Sequence, residues 1–267
     1  MQAAAHDVWM YRDPEVHDLK VAIAAHHGVG PDHVVVGEGI DGLLGLTVRL
    51  MIGAGDVAVT SAGAYPTFNF HVAGFGGRLA RVPYLGDHED PAALLDAAKA
   101  EKAKLVYFAN PDNPMGSWHP AATVEAMIRD LPEGALLVLD EAYADLAPPD
   151  SIPVIAPDTP NVIRMRTFSK AHGLAGLRVG YALTSPALAK AFDKVRNHFG
   201  LGRLAQAAAL AALGDKAHLA TVQAAVVAAR ARVDRIATDH GLVALPSATN
   251  FVTVDCGRDG DFARRVL

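Results

Sequence analysis

Short, continuous apolar runs alternate along this chain with longer stretches in which apolar residues recur every three or four positions. That is the pattern of buried strands interleaved with amphipathic or alanine-rich helices. Strands are predicted near residues 34–36, 57–60, 79–82, 104–109, 136–140, 162–166 and 179–183. Asp13-Pro14 can cap and start a helix running to about His27, with Gly28 ending it. Further helices are predicted near 91–101 and 121–130. After Pro186 the chain turns helical over 187–199, 204–213 and 216–240, with Gly241 closing the last. The alternation predicts an α/β fold: a mostly parallel seven-stranded sheet sandwiched by helices. Residues 1–214 are expected to form a large domain, the last helix leading from it into a smaller C-terminal one over 215–267. No internal repeat, low-complexity tail or long linker interrupts this plan.

The densest chemistry lies in the run Thr167-Phe168-Ser169-Lys170-Ala171-His172-Gly173-Leu174-Ala175-Gly176-Leu177-Arg178-Val179-Gly180-Tyr181. A lysine and an arginine in a segment apolar enough to be buried need a reason. A phosphorylated aldehyde supplies one. A lysine in a low-dielectric pocket is pushed toward its neutral, nucleophilic form, which condenses with a carbonyl, while Thr167, Ser169 and the planar fork of Arg178 suit a phosphate. The alternative is a solvated lysine and arginine beside a Gly-rich turn. Residues 135–143, Ala-Leu-Leu-Val-Leu-Asp-Glu-Ala-Tyr, form an apolar run ending abruptly in charge. They read as a buried strand delivering Asp140 at its carboxyl end, the edge where open α/β sheets bind ligands. Asp140 and Glu141 could equally be a helix cap and its first-turn acid. Asn110-Pro111-Asp112-Asn113-Pro114-Met115-Gly116 specifies a rigid turn at another strand end, and by itself is no more than that.

Composition narrows the classes. The chain has 267 residues, 51% of them hydrophobic, enough for a sizeable core. A net charge of −5 with scattered lysines and arginines argues against a nucleic-acid partner. No apolar run approaches a membrane span, and the first residues lack the regions of a signal peptide. With the single cysteine, Cys256, these features point to the cytoplasm. Twelve histidines show no metal-ligand spacing, so no metal site is expected.

In this order and spacing the three chemical segments resemble the fold-type I pyridoxal-phosphate enzymes, specifically the histidinol-phosphate aminotransferase branch of the class I/II aminotransferases. The resemblance runs from about Tyr11 to about Asp255. It implies pyridoxal 5′-phosphate as cofactor, held by Lys170 as a Schiff base. It implies that Lys170 then moves the proton between the amino carbon and the cofactor. Asp140 would bind the pyridine nitrogen, Tyr143 and Asn113 the ring's phenolate oxygen, and Thr167, Ser169 and Arg178 the phosphate. The turn through Gly37-Glu38-Gly39-Ile40-Asp41 resembles the family's strand-to-helix turn, in which Gly39, Ile40 and Asp41 would cap the phosphate. The family's ring-stacking aromatic falls on Phe68, with Tyr65 and Phe70 close by. Tyr11-Arg12-Asp13-Pro14 resembles the family's Tyr-Pro-Asp-Pro element, with Arg12 replacing its first proline; Tyr11 would reach the neighbouring subunit's phosphate in a homodimer. Asn197 corresponds to a loop near the substrate mouth, although a helix end whose Arg196 and His198 complement the macrodipole explains the same residues.

The family grips its substrate's α-carboxylate with a small-domain arginine. Here Arg264 and Arg265 fall in an expected helix and are poor replacements. Either the chain is a fragment of a longer product or another group completes the site. The expected reaction is transfer of an amino group from an amino acid or amine to a 2-oxo acid. The same scaffold also serves carbon–sulfur lyases, decarboxylases and non-catalytic binding modules.

Overall fold

A computed structural model describes residues 2–257. The strands form where predicted: β1 Val34–Gly37, β2 Val57–Ser61, β3 Arg78–Val82, β4 Leu105–Ala109, β5 Leu136–Asp140, β6 Val162–Thr167 and β7 Gly180–Leu183. They make one sheet in the order β1-β7-β6-β5-β4-β2-β3. Only β7 runs against its neighbours, pairing antiparallel with both β1 and β6. The consequence is geometric. The carboxyl ends of β1, β4, β5 and β6 and the amino end of β7 share one edge, with Gly37 and Thr167 both in register with Gly180.

The helices are α1 Gln2–Ala5, α2 His17–His27, α3 Gly39–Met51, α4 Thr67–Gly74, α5 Pro91–Ala100, α6 Ala121–Arg129, α7 Pro186–Phe192, α8 Arg203–Gly214 and α9 Lys216–Asp239. Strands β2, β4 and β5 are buried at every position, as a sheet covered on both faces requires. On one face α3 and α4 bury Leu43, Leu44, Val48, Phe68 and Val72 against the sheet. On the other, α5 and α6 bury Leu94, Val124 and Met127, and α2 and α8 bury Leu19, Ile23 and Ala209. Among the described residues, no helix is long and apolar enough to cross a membrane.

Two helices are shorter than predicted. Asp13 accepts the N–H groups of Glu15 and His17, at 2.9 and 2.7 Å, and Val16 takes a left-handed conformation (φ 54°), so the first full turn of α2 begins at His17. Gly28 ends it as expected, at φ 68°. Helix α7 stops at Phe192 instead of 199. Beyond it Arg196 turns back to donate to the carbonyl of Pro14 and the carboxylate of Glu15, and Asn197 accepts the N–H of Phe199 at 3.3 Å. These side-chain bonds replace the helical ladder.

Beyond α8 the chain leaves the sheet. Helix α9 is exposed along most of its length, and a two-stranded hairpin, β8 Val243–Ala244 with β9 Val254–Asp255, follows it. Ala248 N–H donates to the Gly116 carbonyl at 2.9 Å and Thr253 Oγ1 to that of Pro114 at 2.6 Å, tying this part to the 110–116 turn. Arg264 and Arg265 lie outside the described residues.

Next to Asp140, the buried Glu141 carboxylate binds both arginines of β6, Arg164 at 2.9 and 3.1 Å and Arg166 at 2.9 Å, and Arg166 reaches on to Asp145 at 3.3 Å. This locks the end of β5 to β6 beside the residues each delivers to the cleft. Removing the carboxylate would strand two guanidinium groups in the interior. Glu141→Ala is expected to lower unfolding free energy by about 3–5 kcal/mol in denaturant titrations. A loss below about 1 kcal/mol would show that the pair is not a structural anchor.

Candidate active site

Where these strand ends converge, a cleft of about 650 Å³, counting its open mouth, is floored by Tyr107, Ala109 and Asp140 and walled by Tyr143, Lys170, Thr167 and Arg178. The chemistry is set by where each segment leaves the sheet.

Asp140 is the last residue of β5, not a helix cap. Its side chain is buried, and both oxygens are held by neutral donors: Tyr107 Oη–H on Oδ2 at 2.8 Å and Ala142 N–H on Oδ1 at 2.9 Å. Burial holds its pKa above the usual carboxylate value, and the cation whose charge counteracts this is Lys170. A buried carboxylate so placed is built to meet a further cation.

Lys170 follows β6 in a turn closed by Gly173 N–H on the Lys170 carbonyl at 3.0 Å, with Gly173 at φ 70°. It is half-buried, and its Nζ stands 5.2 Å from the centre of the Tyr143 ring. Burial raises the Tyr143 pKa, and Lys170 opposes that shift. Asn113 donates to Tyr143 Oη at 3.4 Å, so the 110–116 turn and the segment after β5 present two polar side chains to one point. The Asn-Pro turn is therefore more than a turn. Phe251, from the segment beyond α9, packs edge-on against Tyr143 with ring centres 5.5 Å apart.

The other end of the cleft is an anion cup. The Glu38 side chain does not cap α3, which leaves the helix's first N–H groups, at Gly39, Ile40 and Asp41, facing the cleft's end with the positive pole of the helix. Two glycines permit this. Gly39 sits at φ 79°, and a Cβ there would lie 2.7 Å from Arg178 Nη2. A Cβ on Gly180 would lie 2.9 Å from both Gly39 C and Ile40 N, so β7 and the start of α3 touch backbone to backbone. Arg178 itself adopts a left-handed conformation (φ 52°, ψ 57°), and its Nη1 donates to the Ala175 carbonyl at 3.0 Å, which fixes the guanidinium beside Gly39. Thr167 and Ser169 line the same wall, linked by Ser169 N–H on Thr167 Oγ1 at 3.1 Å. Asp41 lines the cleft too, and pairs with His71 at 2.9 Å.

Three predicted residues are not brought to the cleft. Phe68 is wholly buried on the inner face of α4, its ring stacked on Tyr107 at 5.0 Å and 17°. Tyr65, just before α4, is the aromatic of that segment that lines the cleft. Asn197 lies in the loop after α7 and lines a separate hollow with Glu38, His71 and Arg196. Tyr11 is 83% exposed, and its ring packs on Phe199 at 4.8 Å, away from this chain's own cleft. The sequence reading missed Tyr107 and Phe251. A tyrosine inside the apolar run of β4 was the available signal, since its hydroxyl must find a buried partner. Phe251 carried none. No cluster of potential metal ligands occurs among the described residues.

Residues 2–266 match the family described as aminotransferase class I and II. The chain belongs to this family. It is 37% identical to histidinol-phosphate aminotransferase 1 of Mesorhizobium japonicum over 100% of its length and 74% of that protein. It is 36% identical to the histidinol-phosphate aminotransferase of an Anaeromyxobacter species, over 96% of this chain and 72% of the relative. Among solved structures, the histidinol-phosphate aminotransferase of Sinorhizobium meliloti in complex with pyridoxal-5′-phosphate is similar with a TM-score of 0.97 and 59% identity, covering 98% of this chain and 72% of that one. The fold is thus that of a fold-type I aminotransferase.

Because β7 and α3 touch at Gly180, Gly180→Ala is expected to push the start of α3 outward. The cost would be about 1–3 kcal/mol of stability, typical of overpacking, with faster hydrogen exchange at the Ile40 and Asp41 amides. Unchanged exchange at those amides would show that the anion cup does not depend on this contact.

Proposed function

We propose that the cleft binds pyridoxal 5′-phosphate and transfers an amino group from a histidinol-phosphate-like amino acid or amine to a 2-oxo acid, Lys170 carrying the chemistry. The observation that carries this reading is Asp140: a buried carboxylate, held only by neutral donors, on the floor of a cleft whose far end is an uncapped helix terminus beside an arginine. A cationic ring nitrogen at one end and a phosphate at the other match that polarity. The names of the Mesorhizobium, Anaeromyxobacter and Sinorhizobium relatives support the donor class, and the cofactor in the Sinorhizobium structure supports the ligand.

When bound, the cofactor supplies a carbonyl that takes up the donor's nitrogen and a ring that accepts the electron pair left when a bond to the amino carbon breaks. The remaining work belongs to the protein. The Asp140 carboxylate would hold a proton on the ring nitrogen and so keep the ring an electron sink. Tyr143 and Asn113 would hold the phenolate oxygen in the ring plane. The amino end of α3, with Thr167, Ser169 and Arg178, would bind the phosphate and fix the ring's tilt. Lys170 Nζ would hold the cofactor through its carbonyl carbon and, when free, would carry the proton between the donor's amino carbon and the cofactor. Tyr65 would present an aromatic wall to the ring. Phe68, behind it, would act by packing on Tyr107.

In this reading residues 1–214 form the cofactor-binding part and 215–267 a partial small domain, whose Ala248 and Thr253 tie to the 110–116 turn. The exposed Tyr11 would complete the phosphate site of a second copy in a homodimer, and the protein would work in the cytoplasm. The exposed run of Trp9, Met10 and Tyr11, at 78, 37 and 83%, supports an arm that packs on a partner.

An absorbance titration with pyridoxal phosphate tests the assignment. Wild type should develop a visible band that histidinol phosphate bleaches, and Lys170→Ala should lack it. Asp140→Asn should keep the band while turnover falls by about 10²-fold or more, the usual size for losing a group that stabilises developing charge. An identical band in Lys170→Ala would overturn the role of the lysine.

A further inference from the structure

At the edge that carries the cleft, β2 and β4 part. They pair only at Ala58 with Leu105 and Val59 with Val106, whereas β2 stays with β3 as far as Ser61 and β4 stays with β5 as far as Ala109. The N–H of Ala109, which points to the β2 side, is left without a strand partner. Glu89 fills the opening. Its Oε1 accepts from Ala109 N–H at 2.9 Å and its Oε2 lies 2.5 Å from Ser61 Oγ, so one carboxyl group bridges the ends of two separated strands. The Glu89 carbonyl bonds the His119 ring at 2.9 Å. The backbone of His119 in turn brackets the Asn110 side chain, accepting from it at 3.1 Å and donating to it at 2.8 Å. The residue therefore braces both the start and the flank of the turn that carries Asn113.

Glu89 is 1% exposed. From β4 and the turn beyond it Tyr107 and Asp112 act on it, from β5 Asp140, and from the strand-to-α5 connection Tyr84, which donates to Asp112 at 3.1 Å. On the remaining side stands His119, which burial keeps below its usual pKa and so neutral. The nearby charges that act on Glu89 are thus carboxylates. An ionised Glu89 would sit desolvated among like charges, and no cation among the described residues is seen to compensate it. The neutral acid keeps both contacts: its carbonyl oxygen accepts from Ala109 N–H, and its hydroxyl oxygen stays within hydrogen-bond reach of Ser61 Oγ, able to accept from it or donate to it.

We propose that Glu89 is a positioning residue that keeps its proton in the working protein, wedging β2 from β4, holding the 110–116 turn under the cleft and leaving Asp140 as the carboxylate that meets the bound ring. Burial and Asp112 push the Glu89 pKa up to about 8, in keeping with this state. The consequence for amino transfer rests on the cleft reading given above. The protonation does not, and the two can fail separately.

The test uses the cofactor-free chain with glutamate carboxyls labelled with carbon-13. One glutamate should titrate near pH 8 and vanish in Glu89→Gln, which keeps shape and both hydrogen bonds. The folded-state value lies above the ordinary 4.5, so wild type loses stability as pH rises from about 4.5 to about 8. The melting temperature of Glu89→Gln relative to wild type should accordingly climb over that range and level off above it. Pyridoxal phosphate affinity should stay within about threefold in Glu89→Gln and fall by about tenfold or more in Glu89→Leu, which leaves Ala109 N–H unpartnered. The proposal is overturned if every glutamate titrates below about pH 6, if the high titration survives in Glu89→Gln, or if Glu89→Leu binds the cofactor as wild type does.

Discussion

Everything in this molecule's functional half depends on one carboxylate that the fold buries and only neutral groups hold. Asp140 ends a strand with no exposed residue, and its hydrogen bonds come from Tyr107 and a backbone N–H. Desolvating a charge in this way is costly unless a cation arrives, a demand that, in the function proposed, a protonated ring nitrogen would meet. The same cleft is lined at α3 and Arg178 by the opposite polarity. A ligand with a cationic ring and an anionic tail fits in one direction only.

That arrangement follows from topology. Parallel strands deliver their carboxyl ends to one edge, and the reversal of β7 brings Gly180 against the start of α3 and Arg178 beside Gly39. Rigid strand ends hold Asp140 and Thr167, while turns carry Asn113, Tyr143 and Lys170. The Glu141 pairs with Arg164 and Arg166 fix β5 to β6 on the face behind the cleft, and Glu89 braces β4 where β2 leaves it. Two buried acids outside the cleft thus do opposite jobs: Glu141 is charged and paired, Glu89 neutral and bridging.

Much of this was legible in the chain. All seven strands of the large sheet were, because fully buried strands read as continuous apolar runs bounded by turn residues. Asp140, Lys170 and Arg178 were legible as charged groups beside such runs, and the family resemblance added Asn113 and Tyr143 to them; all five line the cleft. Local side-chain bonding hid the rest. The short α2 and α7 follow from Asp13 and Arg196 capturing backbone groups, which periodicity does not register. Phe68 and Tyr65 are two residues on either side of a helix start, and only the direction of α4 decides that the first faces the core and the second the cleft. Glu89 gave no sign, since its meaning lies in a gap between two strands whose ends are 28 and 20 residues from it in sequence.

The central claim is that the cleft moves nitrogen from one carbon to another. The most direct measurement is to incubate the chain and pyridoxal phosphate with nitrogen-15 histidinol phosphate and 2-oxoglutarate, and to follow the label by mass spectrometry. Label recovered in glutamate, in step with loss of amine from the donor, is the predicted result. Label released as ammonia, or donor carbon lost as carbon dioxide with no labelled glutamate, would contradict it.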